Sequence, residues 1–80
     1  MKIDILLFGI TKDIIGGESR EVELPEGATV KELKQRLMED FPELKKLRSV
    51  MVAVNNEYGK DNQSIDRKDE IALIPPVSGG

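Results

Sequence analysis

The sequence of 80 residues contains no cysteine, no histidine and no tryptophan. The absence of cysteine excludes disulfides, thiolate nucleophiles, and zinc or iron–sulfur sites that cysteine ligates. The absence of histidine removes the most common general base and the most common nitrogen ligand for metals. A chain of this length builds one modest core. The composition therefore argues against an enzyme with its own substrate pocket and favours a binding or carrier module.

Long apolar runs and an excess of positive charge are also missing. The net charge of −3 and the pI near 4.9 argue against a nucleic-acid binder, which presents a concentrated basic face. No apolar run approaches the roughly 18 residues of a membrane span, and the N-terminus lacks a signal-peptide pattern. We therefore expect a cytoplasmic protein with no nucleic-acid partner and no membrane partner.

The distribution of apolar residues predicts strands and one principal helix. Strands are expected over residues 2–10 and 19–24, joined through a short helical turn and Gly16-Gly17 into an antiparallel hairpin. The segment Thr29-Val30-Lys31-Glu32 has the form of a capping box and begins the helix, which Phe41-Pro42 ends. Further strands are expected over residues 49–54, 57–58 and 70–74. This order predicts an α+β fold in which one helix covers a four- or five-stranded sheet.

The alternation of side chains along the first strand places apolar residues on both of its faces. Ile3, Ile5 and Leu7 share one face, whereas Leu6 and Phe8 share the other. If the helix covers the first of these faces, an apolar patch remains on the second, formed by Leu6, Phe8, Met51 and Ile74. Two interpretations stay open: loops or a short second helix cover the patch, or the patch docks a partner.

The usual catalytic and ligand-binding motifs are not found. The acidic residues near the end of the chain do not have the spacing of a calcium loop and are typical of a solvated turn: Asp61, Asp66, Asp69 and Glu70. Gly16-Gly17 is not followed by the Lys-Ser/Thr pair of a phosphate-binding loop. The serines have no histidine to activate them.

The chain ends in Gly79-Gly80, and this ending is the feature of the sequence that points to a chemical reaction. Terminal glycines add no buried surface and carry maximal chain entropy, so a frayed end is one interpretation. The functional interpretation is that a segment without side chains threads a narrow channel and presents its α-carboxylate. Pro75-Pro76 lacks backbone donors and is locally stiff. The extended reach from Pro75 to the terminus is roughly 20 Å, at about 3.3 Å per residue.

Three segments resemble one known family. The ending Pro75-Pro76-Val77-Ser78-Gly79-Gly80, the segment Val52-Ala53-Val54-Asn55 and the segment Leu6-Leu7-Phe8-Gly9 follow the order and approximate spacing seen in small subunits of molybdopterin synthase. The resemblance covers the entire chain. It implies a ubiquitin-like β-grasp fold with a mixed sheet of four to five strands, which agrees with the predicted order of elements. The implied organisation is a β-grasp domain over residues 1–76 and a flexible C-terminal tail over residues 77–80.

The resemblance further implies a sulfur carrier. In this family an E1-like enzyme adenylates the C-terminal glycine with ATP, and a sulfur donor protein converts the adenylate to a thiocarboxylate. The tail then enters the large subunit of the synthase, in an expected heterotetramer, and gives sulfur to a pterin precursor to form the molybdopterin dithiolene. The chain itself would be a non-catalytic subunit with no bound cofactor or metal. Its only covalent intermediates would be the glycyl adenylate and the thiocarboxylate.

The resemblance also assigns the site residues. Gly79 and Gly80 would form the reactive end, and the expected partner contacts are Leu6, Phe8, Tyr58, Ile74, Pro75, Pro76, Val77 and Ser78. Alternatives remain open within the same fold. They are a related carrier serving tRNA thiolation, a modifier conjugated to protein lysines, and a regulatory interaction domain with an inert tail. A carrier serving thiazole synthesis is set aside, because that carrier is usually shorter and lacks the Pro-Pro-Val-Ser ending.

Overall fold

The computed structural model describes residues 1–76, and the predicted tail over residues 77–80 lies outside the described residues. The chain forms five strands and one long helix: β1 Lys2–Leu7, β2 Ser19–Glu23, α1 Val30–Asp40, β3 Met51–Val54, β4 Glu57–Tyr58 and β5 Ile71–Ile74. A turn of π-helix, Lys12–Gly16, connects β1 to β2, and a 3₁₀ helix, Pro42–Lys46, follows α1. The predicted order of elements is confirmed, with most strands shorter than expected.

The strands form one mixed sheet in the order β2-β1-β5-β3-β4. The two central strands, β1 and β5, are parallel, and the other neighbours are antiparallel. Parallel neighbours cannot be joined by a tight turn and need a long crossover connection. The segment between β2 and β5, which contains α1, supplies this connection. The expected α+β, ubiquitin-like β-grasp architecture is therefore confirmed.

The core lies between α1 and one face of the sheet. On α1 the side chains of Val30, Leu33 and Leu37 are buried at helical spacing. Along β1 the residues alternate between exposed and buried, and along β5 they alternate between buried and partly buried. The largest fully buried side chains of the sheet are Ile3, Ile5, Leu7, Val52, Ile71 and Leu73. Ile65, in the loop before β5, is also buried, as an isolated apolar residue in a polar segment is expected to be.

The N-terminus of α1 is capped by Thr29. The Thr29 Oγ1 accepts a hydrogen bond from the backbone N–H of Glu32 at 3.3 Å, as the capping-box pattern predicts. The Glu32 carboxylate accepts from the Thr29 hydroxyl at 3.2 Å, whereas the pattern predicts a bond from the backbone N–H of the capping residue. Two further N–H groups of this end, on Val30 and Lys31, donate to carbonyls of the polar loop that follows β4.

Strand β1 ends at Leu7, three residues earlier than the prediction. Gly9 has a φ of +55°, in the left-handed region that a strand does not use. The buried hydroxyl of Thr11 donates to the Phe8 carbonyl at 2.5 Å and accepts from the Phe8 backbone N–H at 3.0 Å. These two bonds occupy the backbone groups of Phe8 and turn the chain out of the sheet.

The β3–β4 turn and the acidic loop before β5 support one another. Asn55 and Asn56 both have positive φ, 52° and 70°, as a tight hairpin turn requires. The Asn55 side chain donates to Asp69 Oδ1 at 2.9 Å and accepts from the Glu70 backbone N–H at 2.9 Å. Asp69 also accepts from the backbone N–H of Asp66 at 2.8 Å. The acidic cluster therefore forms an ordered turn, in which a carboxylate accepts a hydrogen bond from the turn's own backbone.

No helix within residues 1–76 has the length and apolarity needed to cross a membrane. The longest of them, α1, has 11 residues.

Candidate functional site

The sheet face opposite α1 carries four of the five large apolar side chains that are exposed within residues 1–76, and the fifth, Ile10, lies in the turn after β1. Leu6 is 38% exposed, Phe8 45% and Met51 39%, and Tyr58 at the edge is 66% exposed. Neither α1 nor the 3₁₀ helix covers this face, so residues 1–76 leave the predicted apolar patch open. Exposed apolar patches on small proteins mark surfaces that bind other molecules. We call this surface the exposed sheet face.

A row of paired residues crosses four strands of the exposed sheet face. Leu6 of β1 pairs with Ala72 of β5, Ala72 pairs with Ala53 of β3, and Ala53 pairs with Tyr58 of β4. Because the two central residues are alanines, the row is low in the middle and high at both ends. The resulting apolar groove measures about 310 Å³ and is lined by Leu6, Phe8, Ala53, Asn56, Tyr58, Glu70, Ala72 and Ile74.

Charge on the exposed sheet face is concentrated beyond one end of the apolar groove. Asp4, two residues before Leu6 on the same side of β1, lies directly opposite Glu21 of β2. Like charges in such a cross-strand pair repel one another. Lys2 offsets part of this repulsion, since its Nζ lies 4.0 Å from Glu21 Oε1. Glu70 brings a further carboxylate to the groove lining.

The described part of the C-terminal segment begins at the end of the groove that lies away from Asp4. Ile74, the last residue of β5, lines the groove, and Pro75 and Pro76 follow it, each partly buried. The Pro75 ring lies against the turn after β1. A Cβ placed on Gly9 would come within 2.9 Å of Pro75 Cγ, a distance that real Cβ contacts essentially never show.

The structure brings together six of the ten predicted site residues. Leu6, Phe8, Tyr58 and Ile74 line one groove, and Pro75 and Pro76 leave from its end. The remaining four lie outside the described residues: Val77, Ser78, Gly79 and Gly80.

Sequence reasoning did not single out the residues that shape the groove between its large side chains. Ala53 and Ala72 form its low centre, and Asn56 and Glu70 supply its polar lining. Strand alternation places the alanines on the correct face. Their alignment depends on the cross-strand register, which a single sequence does not display. Gly9 was also missed as a site residue, because its close approach to the distant Pro75 is a tertiary contact.

Within residues 1–76 no three carboxylates are grouped closely enough to hold a metal ion. The groove offers apolar contact area, two polar side chains and a shallow form. These properties suit the side chains of another protein better than they suit a small reacting molecule.

Comparisons with known proteins agree with this geometry. The model of the ThiS family matches residues 5–80 of the chain. A molybdopterin synthase sulfur carrier subunit of Arabidopsis thaliana is 36% identical over 81 residues, covering 100% of this chain and 84% of the relative. The protein of the same description from Dictyostelium discoideum is 41% identical over 80 residues, covering 95% of this chain and 93% of the relative.

Solved structures give the same result for the fold. A molybdopterin converting factor subunit 1 of Pyrococcus furiosus superposes with a TM-score of 0.85 at 26% identity, covering 96% of this chain and 99% of that one. SAMP1 of Haloferax volcanii superposes with a TM-score of 0.82 at 26% identity, and both chains are covered completely. A complex of subunits 1 and 2 of the molybdopterin-converting factor of Helicobacter pylori matches with a TM-score of 0.67 at 27% identity, again over both full chains.

Proposed function

The chain belongs to the ThiS family, and from this membership we propose that it is the sulfur carrier subunit of a molybdopterin synthase. The observation that supports the proposal most strongly is the extent of the similarity. The family match continues through residue 80 and so includes the Gly79-Gly80 ending. Relatives described as carrier subunits of this synthase match the chain over its full length or nearly so.

The proposed chemistry takes place on the α-carboxylate of Gly80. One carboxylate oxygen attacks the α-phosphorus of ATP on an E1-like enzyme, and pyrophosphate leaves. Hydrosulfide delivered by a sulfur donor protein then attacks the acyl carbon, AMP leaves, and a thiocarboxylate is formed. The adenylate is needed because a carboxylate is a poor electrophile and lacks a leaving group. With no cysteine in the chain, no internal thiol competes for the activated acyl group.

The second half of the proposed reaction takes place in the large subunit, where we place the active-site pocket. At each of two carbons of the pterin precursor, the sulfur of one carrier's thiocarboxylate attacks the carbon and displaces an oxygen substituent from it. Water then cleaves the bond between the acyl carbon and the sulfur, which regenerates the Gly80 carboxylate and leaves the sulfur on the pterin. Neither Gly79 nor Gly80 has a side chain, so both fit a channel too narrow for other residues.

The exposed sheet face is the proposed docking surface for the large subunit, in a cytoplasmic heterotetramer. Leu6, Phe8, Tyr58 and Ile74 would supply the apolar contacts around the groove. Pro75, Pro76, Val77 and Ser78 would contact the entrance to the partner's channel. The Helicobacter pylori relative was solved as a complex of two subunits, which supports a partner of this kind.

Intact-protein mass spectrometry tests the proposal. The chain is incubated with ATP, a competent E1-like enzyme and a sulfide source, and its mass is followed with time. We expect a gain equal to the difference between one sulfur atom and one oxygen atom, located at Gly80 by fragmentation. A chain that lacks Gly79-Gly80 is the control and gains nothing. An unchanged mass of the full chain would contradict the carrier function.

A second candidate function is conjugation to other proteins, and one observation favours it. SAMP1 of Haloferax volcanii, a small archaeal modifier protein, superposes over the whole chain. A modifier would use the same adenylate but would transfer the Gly80 acyl group to lysine amines. When cell extract is added to the activated chain, a modifier would form adducts in which Gly80 is joined to lysines of other proteins by isopeptide bonds. A carrier yields the free thiocarboxylate instead.

A further inference from the structure

We propose that the contact between Gly9 and Pro75 positions the C-terminal segment relative to the docking groove, and that Gly9 is therefore a positioning residue for sulfur transfer. This inference rests on the function proposed above. It concerns a residue that lies 71 positions before Gly80 in the sequence.

The two residues in contact are each covalently joined to a residue of the groove. Gly9 follows Phe8 and Pro75 follows Ile74, and both Phe8 and Ile74 line the groove. The contact between Gly9 and Pro75 therefore ties the end of β1 to the point where the C-terminal segment leaves β5. Together with the pairing of β1 and β5, this contact holds the start of the C-terminal segment beside the docking surface.

The contact is close because Gly9 has no side chain. A Cβ at this position would lie 2.9 Å from Pro75 Cγ and 3.9 Å from Pro75 Cδ. The proline ring cannot rotate away as a flexible side chain does, since the ring includes its own backbone nitrogen. A Cβ on Gly9 would accordingly displace Pro75, where the C-terminal segment begins.

The other side of the contact is held in place by Thr11. This side chain is fully buried, and its hydroxyl binds both backbone groups of Phe8, at 2.5 Å and 3.0 Å. The backbone N–H of Lys12 also donates to the Gly9 carbonyl, at 3.1 Å. Because the Phe8–Lys12 turn is fixed by these bonds, the strain of an added Cβ is relieved at Pro75 more easily than at Gly9.

The displacement matters for reaction more than for docking. The groove-lining side chain of Ile74 remains on β5, and Phe8 remains in the turn held by Thr11, so docking of the sheet face is preserved. The position of the reacting carboxylate depends on where Pro75 leaves the end of β5. A misplacement of about 1 Å lowers a reaction rate by as much as 10²-fold.

The test compares Gly9→Ala with Gly27→Ala as a matched control. Both glycines have positive φ, +55° and +79°, so both substitutions strain the backbone. A Cβ on Gly27 meets nothing within 4 Å, so only Gly9→Ala adds the contact with Pro75. The steady-state rate of sulfur transfer to the pterin precursor on the large subunit is measured against the concentration of each thiocarboxylated variant, with thermal unfolding of each variant alongside.

We expect Gly9→Ala to lower kcat by roughly 10- to 100-fold with KM changed by less than about twofold. Gly27→Ala is expected to keep the kcat of the unmodified chain. Removing the obstructing ring atoms by Pro75→Ala in the Gly9→Ala background is expected to restore a large part of the lost kcat. Pro75→Ala alone, which leaves the folded core unchanged, is expected to lower kcat by several-fold because it loosens the same contact.

Two results would overturn the inference. One is equal kcat for the two alanine variants, and the other is a double variant no faster than Gly9→Ala. If Gly9→Ala does not fold, an unchanged kcat in Pro75→Ala overturns the inference by itself. Failure of the unmodified chain to gain sulfur is a different outcome, because it contradicts the proposed function directly.

Discussion

At the scale of single residues, the two phenylalanines of the chain have opposite environments. Phe8 is 45% exposed at the end of the apolar groove. Phe41 is partly buried against the core on the helix side, with the Arg20 guanidinium 5.2 Å from its ring centroid. The pair therefore offers a direct comparison between an aromatic residue placed for binding and one placed for packing.

We expect Phe8→Ala to reduce the free energy of unfolding by about 1 kcal/mol, since only part of the ring is removed from water in the free chain. The affinity for the large subunit is expected to fall by tenfold or more, as for a central aromatic contact of an interface. Isothermal titration calorimetry and chemical denaturation measure the two quantities. Phe41→Ala is the matched control and should show the reverse, with stability lowered and affinity kept. A Phe8 variant that loses stability alone would place this ring in the core.

At the scale of elements, Asn55 joins the β3–β4 turn to the loop before β5. Its backbone has a φ of 52°, and its side chain binds both Asp69 and the backbone of Glu70. The sequence identifies Asn55-Asn56 as a turn and Asp66–Asp69 as a polar loop. The bonds between the two loops join residues 14 and 15 positions apart, so they depend on the register that packs β3 against β5.

Two substitutions separate the contributions of Asn55. Asn55→Gly keeps the positive φ and removes the side-chain bonds, and we expect a loss of about 1–2 kcal/mol in the free energy of unfolding. Asn55→Ala removes the same bonds and adds backbone strain, for a further loss of about 1 kcal/mol. Urea denaturation measures both losses. Equal stability of the glycine variant and the unmodified chain would show that the bonds to the acidic loop contribute nothing.

The elements also show how far the sequence predicts local structure. The capping-box residue Thr29 and the apolar spacing of α1 locate the helix to within a residue, because both signals are local. The end of β1 was misplaced because Phe8 and Ile10 continue the apolar pattern of the strand. What ends the strand is the buried hydroxyl of Thr11 on the Phe8 backbone, a contact that periodicity does not reveal.

At the scale of the whole molecule, one face of the sheet packs against α1 in the core, and the other face is left open by residues 1–76. The face under α1 contains the fully buried side chains, whereas the other carries Leu6, Phe8, Met51 and Tyr58 exposed. Alternation along the strands predicts both faces from the sequence. The groove itself requires the strand order, since Leu6 and Tyr58 lie at opposite ends of a row of four strands.

The composition is consistent with one face packed in the core and one face open to a partner. The chain contains no cysteine and no histidine, and the apolar groove on its exposed sheet face suits a protein partner. In the account proposed here the chain contributes the docking surface and the terminal carboxylate, and the partner contributes the pocket.

The most direct test of this account follows one sulfur atom from the chain to the pterin. The thiocarboxylate form is prepared with isotopically labelled sulfur and mixed with the large subunit and the pterin precursor at two or more thiocarboxylates per pterin, because a dithiolene contains two sulfur atoms. Mass spectrometry then reads both the chain and the product. The account predicts labelled sulfur in the dithiolene and a chain returned to its original mass, with the Gly80 carboxylate restored. Label that stays on the chain, or a dithiolene without label, would contradict the account.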